Sequence, residues 1–457
     1  MESSDIDAWT QDIHQGDVVE TLQEMPESSV HCVMTSPPYF GLRDYGVDGQ
    51  IGLEESLDQY IDNLLDVASE LRRVLRPDGS WWLNLGDTFA GSWGAQSKDV
   101  RANQRERDAY PGKNPARNGS LRRKSKMQVP ARVTIALQDA GWILRSDAIW
   151  HKPNPMPHPV KDRLHEHKEF LFHLTPEPDY WWDLDAIREP HKERSVERRN
   201  RYDFNTSGTK AEVYPTDERN EFIGTEPEDA LHPNGKNPGD VFEIAVKPFP
   251  EAHFAVYPPE LCEAPIKSSC PPQVCAECGT PYERDVEEIP VWERDPETIE
   301  REALQIAVER FEESDLTVEH LEAIRAKGFS DAAAGKQQIG AGRNTDDVEQ
   351  LAAEAKDVLG GYFREFTMTA HETGGWSQAC DCEADATEPG IVLDPFAGAG
   401  TTCLVAKELG RRFIGIDLNP EYVAIAQKRV GLTVDQPELL LEDGETALTA
   451  FGGGRSE

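Results

Sequence analysis

The fold is decided by the stretch IVLDPFAGAGTT, residues 391–402, and by FIGID, residues 413–417. Residues 391–393 are apolar and predict a buried strand, the glycines after them predict a turn, and residues 401–409 predict a helix. FIGID predicts a second buried strand that ends in a carboxylate. A strand, a glycine turn, a helix and a second strand form the repeating unit of an open α/β sheet, whose ligands bind at the carboxyl ends of the strands.

The glycine turn has the composition of a nucleoside site. Gly398 and Gly400 let the backbone approach a ligand, and Asp417, 19 residues after Gly398, can accept hydrogen bonds from both hydroxyls of a ribose. Cys403 stands where the dinucleotide fingerprint has its third glycine, and no Gly-Lys-Ser/Thr follows, so the nucleoside need not carry phosphates. S-adenosylmethionine fits these requirements. The candidate cofactor-binding residues are Asp394, Pro395, Phe396, Gly398, Gly400, Thr401, Thr402 and Asp417. The alternative is a glycine turn that only packs a helix against a strand.

The first half of the chain shows the same alternation of helix and strand. Apolar residues recur at helical spacing between Leu57 and Leu75, and residues 77–79, Pro-Asp-Gly, are expected to end that helix. Further helices are predicted at 18–25 and 132–140, and strands at 30–34, 80–85 and 143–150. This pattern predicts an α/β fold with a mostly parallel, doubly wound sheet.

A second motif, TSPPYF at residues 35–40, follows the first predicted strand. Two consecutive prolines leave carbonyl groups without local donors, and Tyr39 offers a flat face on which a base can stack. Ser36 Oγ and the Pro37 carbonyl can accept the hydrogens of an exocyclic amine, which localises the lone pair of its nitrogen for attack on a methyl group. The catalytic candidates are therefore Ser36, Pro37, Pro38 and Tyr39, whereas Phe40 is expected in the core. The alternative is a plain turn.

Together the two motifs resemble those of DNA amino-methyltransferases with the permuted β arrangement, in which Ser-Pro-Pro-Tyr precedes the cofactor loop. The resemblance covers residues 13–270 and 389–430, and it extends to GD at 16–17, NLGDT at 84–88, WHKPN at 150–154, YWWD at 180–183 and residues 253–266. It implies a Rossmann-like sheet of the kind found in S-adenosylmethionine-dependent methyltransferases. It also implies an enzyme that transfers the methyl group directly to a base flipped out of double-stranded DNA. By this resemblance, Asp17 and Phe254 flank the cofactor and Asp417 holds its ribose.

The target base is suggested by Ser36, which stands where adenine-specific relatives more often carry aspartate. This favours cytosine N4, with adenine N6 as the alternative. The sequence contains no Pro-Cys pair, which excludes the cytosine C5 enzymes. From a different class, a non-catalytic nucleic-acid-binding protein on the same scaffold stays open, and an RNA or protein methyltransferase is disfavoured by the permuted order. A restriction endonuclease counterpart is a further candidate partner.

The chain of 457 residues has 84 acidic and 47 basic residues, a net charge of −37 that normally argues against a nucleic-acid partner. The charge is unevenly distributed. Residues 101–126 carry nine Lys or Arg against two acids and are expected to meet phosphates, with a solvated loop as the alternative. Residues 285–360 carry 20 acids against eight bases and predict a helical, solvent-facing insertion. This acid-rich, lysine-poor composition leads to the hypothesis that the source is a halophilic archaeon.

Four of the eight cysteines form two close pairs, Cys275 with Cys278 and Cys380 with Cys382. A Cys-x2-Cys pair before a glycine is typical of a zinc-knuckle turn, and four thiolates complete a tetrahedral structural site. We therefore predict a structural zinc bound by these residues in a zinc-ribbon-like region that the acidic insertion interrupts. The alternative is unligated thiols, and the more distant Cys262 and Cys270 are expected in the core.

The motifs predict six segments along the chain. They are the catalytic half at 13–189, a target-recognition segment at 190–250, a cofactor-flanking helix at 251–270, a four-cysteine region with the acidic insertion at 271–388, the cofactor-binding half at 389–432 and an acidic tail at 433–457. No apolar run approaches the roughly 20 residues of a membrane helix, and the N-terminus lacks the features of a signal peptide. A cytoplasmic protein without a membrane partner is expected.

Overall fold

The computed structural model describes residues 6–90, 121–155, 160–191, 235–247, 256–290, 302–331, 346–367, 369–383 and 386–432. The strands in these ranges are β1 (Asp12–Gln15), β2 (Val30–Thr35), β3 (Leu75–Leu85), β4 (Ile143–His151), β5 (Lys168–Thr175), β6 (Val241–Glu243), β7 (Val274–Cys275), β8 (Glu283–Pro290), β9 (Thr369–Ser377), β10 (Thr387–Glu388), β11 (Ile391–Asp394) and β12 (Arg412–Asp417). The helices are α1 (Val18–Glu24), α2 (Leu57–Val74), α3 (Val129–Asp139), α4 (Glu260–Ser269), α5 (Glu302–Glu312), α6 (Val318–Asp331), α7 (Asp346–Leu359), α8 (Thr401–Glu408) and α9 (Pro420–Arg429).

Eight strands form one sheet in the order β1-β12-β11-β2-β3-β5-β4-β6. The pairings from β1 to β3 are parallel, whereas β5 runs antiparallel to both of its neighbours. The parallel-dominated sheet expected from the sequence is confirmed. Because β12, β11, β2 and β3 run in the same direction, the loops that follow them meet at one edge of the sheet.

Helices cover both faces of this sheet. α1, α2 and α3 pack on one face in a hydrophobic cluster that includes Leu393, while α4, α8 and α9 pack on the other in a cluster that includes Val392. Neighbouring residues of β11 therefore point to opposite faces and both are buried, as in the centre of a parallel sheet. The glycine turn leaves the sheet from this central strand.

The end of α2 differs from the prediction. The helix ends at Val74 and β3 follows at once, so residues 77–79, which were expected to end the helix, lie inside the strand. The register with β2 shifts at this place, and residues 76–79 bulge out of the ladder. Proline is tolerated because a bulged residue has no ladder partner, and Arg76 Nε donates to Asp78 Oδ1 at 2.8 Å across the bulge.

The described parts of the acidic segment after residue 301 are helical, as predicted, and they also have a core of their own. β8 and β9 pair as an antiparallel stem, and α5, α6, α7 and a 3-10 helix at Gly360–Thr367 lie between them in the sequence. A separate hydrophobic cluster joins these helices and consists of Leu304, Ala307, Leu321, Ile324, Ala355, Leu359 and Phe366. The insertion is therefore more than a solvated helical face, since it buries apolar side chains independently of the sheet.

Several predicted segments lie outside the described residues, namely most of the basic loop 101–126, most of the segment 190–250 and the whole tail 433–457. At the described end of the basic loop, Lys124 pairs with Asp162 and Lys126 pairs with Glu166. Among the helices described, none combines the length and the apolar character required to cross a membrane.

A substitution at Leu393 tests whether β11 lies at the centre of the core, because the Leu393 side chain is fully buried. We expect Leu393→Ala to lower the free energy of unfolding by about 2–5 kcal/mol, since the packed neighbours cannot close the cavity. Urea unfolding followed by circular dichroism measures this change. Ile135→Ala, at an exposed position of α3, is the control and should stay within about 0.5 kcal/mol of wild type. A loss below about 1 kcal/mol at Leu393 would contradict its place in the core.

Candidate functional site

A cavity of about 250 Å³ lies at the carboxyl edge of the parallel strands. Both sequence motifs line it, although they stand at opposite ends of the chain. The predicted site residues in its wall are Asp17, Ser36, Pro37, Pro38, Tyr39, Pro395, Phe396, Gly398, Thr401 and Asp417. One end of the cavity is therefore formed by the glycine turn and the other by the Ser-Pro-Pro-Tyr loop.

The glycine turn requires glycine at two positions. Gly398 and Gly400 have φ angles of +51° and +71°, in the left-handed region that other residues avoid. A Cβ atom on Gly400 would lie 2.9 Å from Cβ of Ala426, so α9 leaves no room for a side chain. A Cβ atom on Gly398 would meet no neighbouring atom closer than 4.0 Å, because this residue faces the cavity. The first glycine thus leaves space for a ligand and the second allows two helices to approach.

Asp417 ends β12 beside the glycine turn. Its Oδ2 accepts a hydrogen bond from the Gly398 backbone N–H at 2.8 Å, and its Oδ1 accepts one from the Asn419 N–H at 2.8 Å. Burial raises the pKa of Asp417 above its usual value, and these two backbone hydrogen bonds oppose the rise. Each carboxylate oxygen has a further lone pair for a ligand hydroxyl.

Three predicted cofactor residues, Asp394, Gly400 and Thr402, lie behind the cavity wall. Asp394 is 1% exposed and accepts hydrogen bonds from Thr35 Oγ1 at 2.6 Å and from the Phe396 N–H at 3.1 Å. Thr402 Oγ1 donates to the Met34 carbonyl at 3.1 Å. Burial raises the pKa of Asp394, although its hydrogen bonds counteract this. These residues join the end of β2 to the glycine turn, so they position both motifs.

Asp17 occupies the N-cap of α1. Its Oδ1 accepts hydrogen bonds from the backbone N–H groups of Val19 and Glu20, at 2.9 and 3.1 Å, which fixes its carboxylate at the cavity wall. Phe254, the other residue expected to flank the cofactor, lies outside the described residues.

Tyr39 is held by a polar network at the far end of the cavity. Its hydroxyl is within donating distance of Asn84 Oδ1 at 3.0 Å and of Glu169 Oε2 at 2.9 Å, and Ser36 Oγ donates to it at 3.3 Å. Burial, followed by the negative charge of Glu169, raises the pKa of Tyr39 well above its usual value, so this hydroxyl stays protonated. A Cβ atom on Gly86 would lie 2.6 Å from the Tyr39 ring, so glycine is needed for the ring to lie there. Phe40 is buried, as expected.

Sequence reasoning missed several residues of this cavity, among them Tyr45, Glu169, Tyr257, Asn419 and Tyr422. Glu169 stands at the start of β5 and forms an ion pair with Lys152 from the end of β4. No local pattern marks an acid in that position. Asn419 carried a readable signal, because an Asn-Pro pair is typical of a helix N-terminus, and its side chain caps α9.

The four cysteines of the predicted zinc site lie together. Their Sγ atoms are all within 4.8 Å of one another, and β7 and β10 pair beside them. Tetrahedral coordination at a Zn–S distance of about 2.3 Å needs sulfurs roughly 3.8 Å apart, so a small contraction suffices. Although burial opposes it, hydrogen bonds with Thr280, Cys382 and Cys380 lower the pKa of Cys278 to about 6, whereas the hydrogen bond with Cys278 raises the pKa of Cys382. The thiolate is the form that binds metal. Cys262 and Cys270 are buried, as expected.

His31 connects this cysteine cluster to the sheet. Its Nδ1 accepts a hydrogen bond from the Ile391 N–H at 3.1 Å, so its Nε2 carries the proton and donates to the Gly279 carbonyl at 3.0 Å. Burial lowers the pKa of His31 to about 4, which keeps the ring neutral. The turn after Cys278 is thereby tied to the first residue of β11.

Comparison with known proteins identifies the family. The chain matches the N6/N4 family of DNA methylases over residues 30–275 and 384–428. It is 36% identical over 261 residues to the type II methyltransferase M.XycI of Xanthomonas campestris pv. cyanopsidis, an alignment that spans 57% of this chain and 73% of that protein. It is 30% identical over 442 residues to the type II methyltransferase M.SfiI of Streptomyces fimbriatus, spanning 94% and 93% of the two chains. Among solved structures, the cytosine-N4-specific PvuII DNA methyltransferase aligns over 91% of this chain and 85% of its own, with 16% identity and a TM-score of 0.37. The sequence matches establish that this chain belongs to the N6/N4 DNA methylase family.

Proposed function

We propose that the protein is a site-specific DNA methyltransferase that transfers a methyl group from S-adenosylmethionine to N4 of a flipped-out cytosine. The observation that carries this proposal is that Ser36 to Tyr39 and the glycine turn with Asp417 line one cavity. A methyl donor and a base amine held at its two ends can meet. Family membership narrows the acceptor to an exocyclic amine of cytosine or adenine.

The glycine-turn end of the cavity suits S-adenosylmethionine. Asp417 has lone pairs for two ribose hydroxyls, the open space at Gly398 admits a ligand close to the backbone, and Phe396 offers an apolar surface for the adenine. When bound, the cofactor supplies a methyl group activated by its sulfonium. Asp17, Pro395 and Thr401 complete the proposed contacts, and Asp394, Gly400 and Thr402 act by fixing the turn.

The Ser-Pro-Pro-Tyr end of the cavity suits an exocyclic amine. Ser36 Oγ and the Pro37 carbonyl would accept its two hydrogens, while Pro38 keeps the loop stiff. Flipping a base out of a duplex costs a few kcal/mol, and stacking on Tyr39 offsets part of that cost. The network around its hydroxyl holds the ring ready for this contact. No covalent intermediate with the protein is required.

Serine at position 36 supports cytosine N4 as the target, and adenine N6 is the alternative. The order of the elements supports the permuted arrangement, since β2 with its loop precedes β11 and the glycine turn in the chain. The basic loop 101–126 and the segment 190–250 are the proposed DNA contacts. Relatives named type II methyltransferases support a restriction-modification role with an endonuclease counterpart. The net charge of −37 supports a halophilic source.

We also propose that Cys275, Cys278, Cys380 and Cys382 bind one structural zinc ion. The two pairs come from distant parts of the chain, and the ligand atoms already lie within 4.8 Å of one another. The acidic insertion separates them in sequence and returns through the β8–β9 stem. Zinc would therefore close the base of the insertion and, through His31, stabilise the start of β11.

Removal of one thiol tests this zinc site. We expect Cys275→Ser to lose the metal and to lower the free energy of unfolding by several kcal/mol, because metal binding contributes directly to folding. Elemental analysis of the purified proteins and urea unfolding measure the two effects. Cys403→Ser, which changes a buried thiol outside the cluster, should keep the metal. Wild-type protein that contains no zinc would overturn the proposal.

Methyl transfer from tritiated S-adenosylmethionine tests the proposed activity. Purified protein is incubated separately with unmethylated phage DNA, with total RNA and with a protein mixture, and the incorporated label is counted. We expect incorporation into DNA alone. Label in RNA or protein, or label in DNA that persists fully in Ser36→Ala, would contradict the proposal.

A further inference from the structure

A line of polar groups leads from the amine end of the cavity into the wall. Ser36 Oγ donates to Tyr39 Oη at 3.3 Å, and Tyr39 Oη donates to Glu169 Oε2 at 2.9 Å. Both hydrogen bonds run in the same direction, from Ser36 toward the carboxylate. When Ser36 accepts a proton, it can pass its own hydroxyl proton to Tyr39, and Tyr39 can pass its proton to Glu169. No side chain has to move for this transfer.

The carboxylate at the end of this line forms an ion pair and is only partly exposed. Glu169 Oε1 pairs with the Lys152 ammonium, and the side chain of each is 18% exposed. Lys152 also lies 4.1 Å from the centroid of the Trp150 ring. A partly buried ion pair of this kind contributes little net stability. Its position beside the catalytic candidates therefore points to a role in the reaction.

We propose that Glu169 is the final proton acceptor of methyl transfer, reached through Ser36 and Tyr39. This inference rests on the proposed function. As the nitrogen–carbon bond forms, the carbon–sulfur bond of the donor breaks with its electron pair left on sulfur, and the amine nitrogen becomes positively charged. One N–H proton passes to Ser36 Oγ, the Ser36 hydroxyl proton passes to Tyr39 Oη, and the Tyr39 proton passes to Glu169 Oε2. Glu169 ends as a neutral carboxylic acid and later releases the proton to water.

Two features make Tyr39 a relay in this line. Burial and the adjacent carboxylate disfavour its phenolate by raising its pKa, so it can accept a proton only while it gives one up. Its second neighbour, Asn84 Oδ1, is an amide oxygen that does not take protons at ordinary pH. Through this line, the negative charge of Glu169 stabilises the positive charge that develops on the amine nitrogen during the reaction.

Glu169→Gln separates this role from that of an anchor for Tyr39. The amide oxygen of glutamine can still accept the Tyr39 hydrogen bond, but it cannot accept the proton. We expect the single-turnover rate constant on phage DNA to fall by about a hundredfold, the range of general-base catalysis, while the Kd for S-adenosylmethionine changes by less than about threefold. Glu169→Asp, which keeps a carboxylate, should recover a large part of the rate. Tyr39→Phe, which keeps the ring and removes the middle of the line, should lose as much as Glu169→Gln.

Each of these variants has a result that overturns the relay. A Glu169→Gln or Tyr39→Phe protein with the wild-type rate would do so, and so would a Glu169→Asp protein no faster than Glu169→Gln. If Glu169→Gln folds poorly, the single-turnover rate constant of Tyr39→Phe alone tests the relay. Failure of the proposed function has a different signature, since wild-type protein would then transfer no methyl groups to DNA.

Discussion

Asp417→Ala is expected to weaken S-adenosylmethionine binding by about a hundredfold or more. The substitution removes a carboxylate that would accept two ribose hydroxyls, and each hydrogen bond to a charged group contributes roughly 1.5–3 kcal/mol. It also leaves the Gly398 and Asn419 N–H groups without their acceptor, which loosens the glycine turn. Isothermal titration calorimetry on the purified protein measures the Kd directly.

Two control variants separate the effect of losing the Asp417 carboxylate from an effect of misfolding. Asp139→Ala, at an exposed position at the end of α3, should bind the cofactor as wild type does. Asp417→Asn keeps one acceptor oxygen and should give an intermediate loss. An Asp417→Ala protein that is folded and binds within about threefold of wild type would show that the ribose does not lie at the end of β12.

Tyr39→Ala is expected to lower single-turnover methyl transfer to DNA by roughly 5- to 150-fold beyond the loss in Tyr39→Phe, since stacking of a base on an aromatic ring contributes about 1–3 kcal/mol. The substitution should weaken binding of the flipped base and leave cofactor binding unchanged, because Asp417 and the glycine turn are unchanged. Single-turnover kinetics with labelled cofactor measure the rate, and calorimetry shows whether cofactor binding persists.

Two further variants make this result specific. Tyr180→Ala removes a tyrosine that packs against His173 and Arg145 and does not line the cavity, and it should retain methyl transfer. Tyr39→Phe keeps the stacking face and, on stacking alone, should be more active than Tyr39→Ala. Undiminished transfer by Tyr39→Ala would mean that the Ser-Pro-Pro-Tyr loop does not receive the base.

The sheet could be predicted from the sequence because its signals are local. β11 and β12 are short apolar runs, and Gly398 and Gly400 occupy the left-handed positions that their type suggests. The pattern failed at the end of α2, where proline and glycine marked a bulge inside β3 and not a helix end. A bulge depends on the register with a neighbouring strand, which no local pattern contains.

The candidate site could be predicted where its residues come in compact motifs. Ser36 to Tyr39, Asp417 and the two cysteine pairs are such motifs, and the structure brings the members of each set together. The roles of other residues depend on tertiary contacts. Asp394 has the sequence context of a ligand contact, yet it is buried and joins Thr35 to the glycine turn. Glu169 belongs to a strand with no motif, and only the pairing of β5 with β3 brings it to Tyr39.

Nucleoside mass spectrometry of treated DNA is the most direct test of the proposed methyl transfer to cytosine. Unmethylated phage DNA is incubated with wild-type protein and S-adenosylmethionine, digested to nucleosides and compared with DNA treated with Ser36→Ala. We expect N4-methylcytosine after treatment with wild type, at a level that Ser36→Ala reduces strongly. DNA that contains no methylated exocyclic amine would contradict the claim of amine methylation, and N6-methyladenine without N4-methylcytosine would contradict cytosine as the target.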